Sequence, residues 1–183
     1  MNNLKIRLAN PSDAEAISLL GGTTFTETFG HFFRDHKDLQ DYLKRTFSIE
    51  KIKNGLGNSS NVFWIALVND LPVGFSKLKR NSKSEFSESI NSYQLQKIYV
   101  LKDYLSMKIG LALQDRLIET ATEEGFDQIW LSVLDSNERA SRFYFKNGFE
   151  KIGSHDFQIG KESFEFIAMS KNLTSSDSKP PTT

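Results

Sequence analysis

The sequence predicts a mixed α/β fold built on a mostly antiparallel sheet of about seven strands. Three observations lead there. Short runs of alternating or continuously apolar residues recur along the chain, and several are joined by connections suited to hairpins. One unit between Leu95 and Leu134 reads strand, turn, helix, strand, which gives a parallel pair with a right-handed crossover. Between those strands Ile109, Ala112, Leu113, Leu117 and Ala121 recur three or four residues apart, the stripe of an amphipathic helix.

Leu4 to Ala9 alternates with period two and reads as a strand, broken by Asn10-Pro11. Ser12 and Glu15 fit a capping box ahead of Ile17, Leu19 and Leu20, and Gly21-Gly22 reads as the end of that short helix. Thr23 to Arg34 mixes Phe with Thr, which suits either a pocket wall or a segment covering the core. Leu39, Leu43 and Phe47 mark a helix, and Ser48 can cap the turn that follows. Val62–Val68 and Val73–Leu78 form a hairpin around Asn69-Asp70-Leu71-Pro72. Asn81 to Ser92 is polar and reads as an exposed loop, so Glu85 and Glu88 there read as solvated charges.

Leu95 to Leu101 is a strand in which Leu95, Lys97, Tyr99 and Leu101 alternate with Gln96, Ile98 and Val100. The helix after it ends at Gly125. Gln128–Leu134 is an apolar, central strand. Ser136 is placed to cap a helix carrying Ala140, Phe143 and Tyr144, which Asn147-Gly148 closes. Phe149–Gly153 and Ser163–Ser170 complete the sheet. Residues 1–173 read as a single domain and 174–183 as a mobile polar tail.

Composition narrows the function. Lys+Arg and Asp+Glu both number 23, so nothing points to nucleic acid or an anionic membrane as partner. The chain has no cysteine, which excludes thiolate catalysis and zinc–thiolate sites. His31, His36 and His155 are scattered, so no metal is expected. Neither Gly-x-Gly-x-x-Gly nor a P-loop is present. With no signal-like or spanning apolar run, a cytoplasmic protein is the expectation. What remains is the strand–turn–helix itself. The free N–H groups and dipole of a helix N-terminus form an anion site, here at Leu105–Gly110, suited to a cofactor pyrophosphate.

Asn137-Glu138-Arg139-Ala140-Ser141-Arg142-Phe143-Tyr144-Phe145-Lys146-Asn147-Gly148-Phe149, together with the strand and turn before it, resembles the GNAT N-acetyltransferases. The element order agrees from Ile6 to about Leu173. A shorter likeness, in Thr24–Gly30 and Gln96–Val100, is to polyamine acetyltransferases of the PaiA type. The resemblance implies a GNAT-like sheet whose parallel pair, Leu95–Leu101 and Gln128–Leu134, splays apart to admit acetyl-CoA. It implies backbone contacts to pantetheine from Ile98, Tyr99 and Val100. It places the pyrophosphate on Leu105, Ser106, Met107, Lys108, Ile109, Gly110 and Leu111, with Asn137 holding the arm. Tyr144 would be the general acid for the departing thiolate. The implied acceptor is a small-molecule amine, polyamines included, and a homodimer is common in that superfamily.

An amine attacks a thioester directly, so the lack of cysteine is no obstacle; catalysis needs positioning, a proton sink and a proton donor. Glu27, or a water relayed by it, is the candidate base, with Phe25 and Thr28 beside it as substrate contacts. The sequence departs from the family in the turn, which normally reads Gln/Arg-x-x-Gly-x-Gly/Ala. Leu105 and Lys108 replace the first two defining residues, and Gly110 keeps the last. Lys108 either adds a cation to the phosphate site or distorts the loop. The second case keeps open a different class of function, a non-catalytic CoA-binding or interaction module on the same fold.

Overall fold

The computed structural model describes residues 3–173, so the polar stretch 174–183 lies outside the described residues. Strand β1 (Leu4–Leu8) is followed by helices α1 (Ala14–Phe29), α2 (His36–Phe47) and α3 (Ile49–Leu56). Strands β2 (Asn61–Val68), β3 (Leu71–Lys79) and β4 (Ser92–Val100) come next, then helix α4 (Ile109–Glu123). Strand β5 (Gln128–Leu134), helix α5 (Glu138–Lys146) and the hairpin β6 (Glu150–Ile159) and β7 (Glu162–Asn172) complete the order. The seven strands form one sheet, β1-β2-β3-β4-β5-β7-β6. Every neighbouring pair is antiparallel except β4 and β5, as the crossover through α4 requires.

The sheet is covered on both faces, which is why its central strands are apolar throughout. On one face α1, α2 and α3 bring Ile17, Phe25, Leu39, Phe47 and Ile52 against Ile65 and Phe75. On the other, the stripe of α4 is fully buried at Ile109, Leu113, Leu117 and Ala121, against β2 to β5. The α5 residue Tyr144 packs on that side with Leu131, Val133 and Phe149.

Several local expectations change. Helix α1 does not stop at Gly21-Gly22 but runs on to Phe29. Gly21 is there for packing: a Cβ on it would overlap the Phe47 ring of α2. The first cap is Asn10 with Asp13, not Ser12 with Glu15. The Asn10 side chain accepts from Ser12 N–H at 2.9 Å, and the Asp13 carboxylate accepts from Asn10 N–H at 2.8 Å. Asn137, not Ser136, caps α5. The β2–β3 turn is only Asn69-Asp70, both at positive φ, so Leu71 and Pro72 belong to β3. Residues 81–91 are irregular but anchored: Trp130 Nε1 donates to the Ser82 carbonyl at 2.5 Å, and Ser84 is buried. Ser48 does cap α3, accepting from Lys51 N–H at 3.3 Å, and Gly125 ends α4 at φ 76°.

The most consequential change is in β4. Its register with β3 passes from Lys77↔Lys97 to Leu78↔Leu95, so Gln96 is an extra, bulged residue. A bulge bends and twists its strand. Here it coincides with the end of the parallel ladder, whose last pair is Leu95↔Leu131. Beyond it β4 and β5 no longer pair, which is the splay expected above. The bulge also breaks the simple alternation. Leu95 faces α4, whereas Lys97 and Tyr99 turn to the face covered by α1 and α2, and Ile98 and Val100 face α4.

Candidate active site

A cavity of about 630 Å³ opens where the two strands part. Leu95 to Tyr99 of β4, Ser132 to Leu134 of β5, and Asn137, Ala140 and Tyr144 of α5 line one part of it. Past Leu131, among the described residues, β5 pairs only with β7, and β4 only with β3. Each therefore offers an unpaired backbone edge to the cavity, a ready template for an extended ligand.

Tyr144 is 8% exposed and held by edge contacts with Phe143 and Phe149, ring centroids 5.2 and 5.5 Å away. Burial alone pushes its hydroxyl pKa up, so it is protonated at neutral pH and can give a proton but not take one. Burial does the same to Tyr99. Asn137 is committed at one end: its Oδ1 accepts from Ala140 N–H at 3.1 Å, capping α5 and leaving the NH₂ end as the donor it can offer.

The turn expected to bind an anion lies beyond the end of β4. Residues Lys102–Met107 make a tight 3₁₀ turn, Lys108 is the N-cap of α4, and Ile109, Gly110 and Leu111 begin the helix. None of Leu105 to Leu111 is among the residues lining the cavity, so the turn stands outside it. Lys108 has φ 56° and ψ 20°, the left-handed conformation that glycine adopts without cost. The turn thus keeps a glycine-like backbone although the glycine is gone. A lysine there costs roughly 1 kcal/mol. Lys108→Gly is expected to raise stability by about 0.5–1 kcal/mol in urea unfolding, and a β-branched Lys108→Val to lower it.

The other part of the cavity lies between the sheet and α1, α2 and α3. Phe25, Phe29, Tyr42, Phe63, Phe164 and Phe166 supply aromatic walls. Of the substrate contacts expected from α1, Phe25 is in this wall, whereas Glu27 and Thr28 are exposed and outside the lining. The helical period puts Phe25 and Phe29 on the inner face and turns the residues between them outward.

Three lysines line the same space: Lys77 on β3, Lys97 on β4 and Lys51 on α3. Lys97 Nζ sits 5.0 Å from the Phe47 ring centre and 5.6 Å from that of Tyr99, and Lys77 Nζ 5.4 Å from that of Phe63. Burial, and for each a neighbouring lysine, pushes both pKa values down to about 8. His155 of β6 also lines the cavity, its Nε2 2.8 Å from Ser132 Oγ, its ring stacked between Phe86 and Phe166. The sequence reading missed these four. No local signal marked Lys97, because the bulge at Gln96 sets its facing and period-two alternation along β4 does not show it.

Comparison with known proteins agrees with this architecture. Residues 24–149 match the model of the acetyltransferase (GNAT) family. The chain is 24% identical over 175 residues, 94% of its length and 99% of the other's, to an uncharacterized N-acetyltransferase in the pepI 3′ region of Lactobacillus delbrueckii subsp. lactis. It is 23% identical over 166 residues, 87% of its length and 98% of the other's, to a spermidine N(1)-acetyltransferase of Thermoplasma acidophilum. Among solved structures, the PaiA N-acetyltransferase of Thermoplasma acidophilum in complex with coenzyme A superposes with a TM-score of 0.75 at 22% identity, covering 93% of this chain and 99% of that one. The family match spans well over half of the chain and includes the splayed strands, the Lys102–Met107 turn and the Asn137–Phe149 segment, so the protein belongs to the acetyltransferase (GNAT) family.

Proposed function

We propose that this acetyltransferase moves an acetyl group from acetyl-CoA to the primary amine of a small molecule by direct attack, with Tyr144 as general acid. The observation that supports it most is the junction itself. Two unpaired strand edges meet there beneath a buried tyrosine whose hydroxyl is held protonated.

The open edge of β4, including Ile98, Tyr99 and Val100, would receive the pantetheine arm as an added strand, with the NH₂ group of Asn137 as a further donor. The free N–H groups of Ile109, Gly110 and Leu111, with the turn from Leu105 to Lys108 before them, would take the pyrophosphate. A Cβ on Gly110 would only just touch Ile98, so the bare glycine leaves space for a ligand rather than satisfying a packing demand. Bound acetyl-CoA supplies the activated acyl group. The amine nitrogen bonds to the acyl carbon as the carbon–sulfur bond breaks. Tyr144 gives its proton to the sulfur, and the amine loses one to water or to His155. Glu27, exposed on α1, would act as base only through a chain of water.

The likeness to a spermidine acetyltransferase brings polyamines into the acceptor panel. The glycine-like backbone at Lys108 favours a working enzyme over a non-catalytic module. Calorimetric titration with acetyl-CoA, followed by a thiol-release assay over a panel of amines, tests both. We expect micromolar binding and release of CoA with at least one amine. No binding heat overturns the proposal, and binding without turnover on any amine returns the protein to the non-catalytic class.

A further inference from the structure

We propose that the acceptor carries an anionic group on an apolar body, and that Lys97 and Lys77 recognise that anion. This rests on the acetyltransferase function proposed above and narrows its substrate.

The charged lining of the cavity has one sign. Lys51, Lys77 and Lys97 face it from α3, β3 and β4, and no Asp or Glu among the described residues lines it. None of the three lysines has a carboxylate partner among the described residues, where every ion pair involves other cations. The remaining titratable groups facing this space are Tyr42 of α2, Tyr99 of β4, Tyr144 of α5 and His155 of β6, none of them an anion at neutral pH. Lys79, beyond Lys77 on β3, adds further positive charge to it. Yet the whole chain has no net formal charge, so the concentration of cations is local.

Unpaired lysines in a half-buried site are costly. Lys77 and Lys97 are direct cross-strand partners, and like charges placed so destabilise a sheet. The bulge at Gln96 is what turns Lys97 toward this face. Aromatic faces beneath both ammonium groups recover part of the cost. A bound anion would recover the rest and would draw both lysines back toward full protonation. A polyamine, by contrast, would bring several positive charges to a wall that already repels its own. The aromatic walls favour an apolar or aromatic body. A carboxylate and a phosphate share this chemistry.

The test separates the charge of the acceptor from its shape, and binding from turnover. Calorimetry at pH 7 compares hydrocinnamate, phenyl phosphate, phenethylamine and spermidine. We expect one of the two anions to bind at least about tenfold more tightly than either amine, and Lys97→Met and Lys77→Met each to weaken it about tenfold or more. Tighter binding by hydrocinnamate assigns a carboxylate, and by phenyl phosphate a phosphate; both outcomes support the proposal. Removing a partly buried charge should raise the melting temperature at pH 7 in both variants, so lost binding cannot be ascribed to unfolding. In turnover, phenylalanine should have a lower KM than phenethylamine, from which it differs by the carboxylate, and Lys97→Met should remove the difference. Equal or tighter binding of phenethylamine or spermidine, no binding of either anion, or unchanged anion binding in both variants overturns the inference. The first or last of these with measurable CoA release would leave the acetyltransferase proposal standing. Absence of acetyl-CoA binding would overturn that proposal while leaving the anion measurements interpretable.

Discussion

Tyr144→Phe is expected to lower kcat by about a hundredfold while leaving acetyl-CoA affinity unchanged, the scale typical of losing one positioned proton donor. The change removes a hydroxyl and keeps the ring, so the edge contacts with Phe143 and Phe149 persist. Stability should move little, because Tyr144 already packs as an apolar side chain among Leu131, Val133 and Phe149. The pKa of Tyr144 is raised by burial, so the donor should stay protonated through the neutral and mildly alkaline range. Any alkaline fall in rate there belongs to another group. Steady-state kinetics with calorimetry of acetyl-CoA separates the two parameters. Full turnover in the phenylalanine variant would remove Tyr144 from the mechanism.

The adjacent glycines of α1 should respond to alanine with opposite signs. Gly22 has no heavy atom within 4 Å of where its Cβ would stand. Only helix propensity acts there, and Gly22→Ala should stabilise by about 0.5–1 kcal/mol. At Gly21 the same propensity gain meets the Phe47 ring, which a new Cβ would overlap. That ring cannot slide away, since it packs against Phe25 at 6.0 Å, Tyr42 at 6.4 Å and Tyr99 at 6.0 Å between ring centres, and lies under Lys97. Overpacking of this kind costs about 1–3 kcal/mol, so Gly21→Ala should be destabilising on balance. Because Phe47 supports Lys97, that variant should also weaken acceptor binding. Urea unfolding of the two variants checks the signs, and equal shifts would mean that α2 yields easily.

Much of this was legible in the sequence because the signals are local. The α4 stripe, the β2–β3 hairpin, the Ser48 cap and the Gly125 stop depend on spacing or on one residue's conformational freedom, and all appear, the hairpin with a turn two residues shorter than read. Gly21-Gly22 misled because glycine has two uses. It ends helices, and it also lets two elements approach, and only the neighbouring ring distinguishes them. The place of Glu27 was likewise not legible from its neighbours in the sequence. It stands among Phe and Thr, but the helical period puts Phe25 and Phe29 inward and turns Thr26, Glu27 and Thr28 to the outside.

By itself the sequence determined the class of the fold, the place of the parallel crossover, the turn that opens α4 and the helix that carries Tyr144. These are properties of periodicity, capping and a continuous motif. The tertiary structure decided which charges line the cavity. One extra residue in β4 coincides with the end of the parallel ladder and reverses the facing of the strand, and so brings Lys97 beside Lys77 on the face covered by α1 and α2. Strand pairing sets that register, through hydrogen bonds between residues far apart in the chain. Period-two alternation read along β4 alone cannot reveal it.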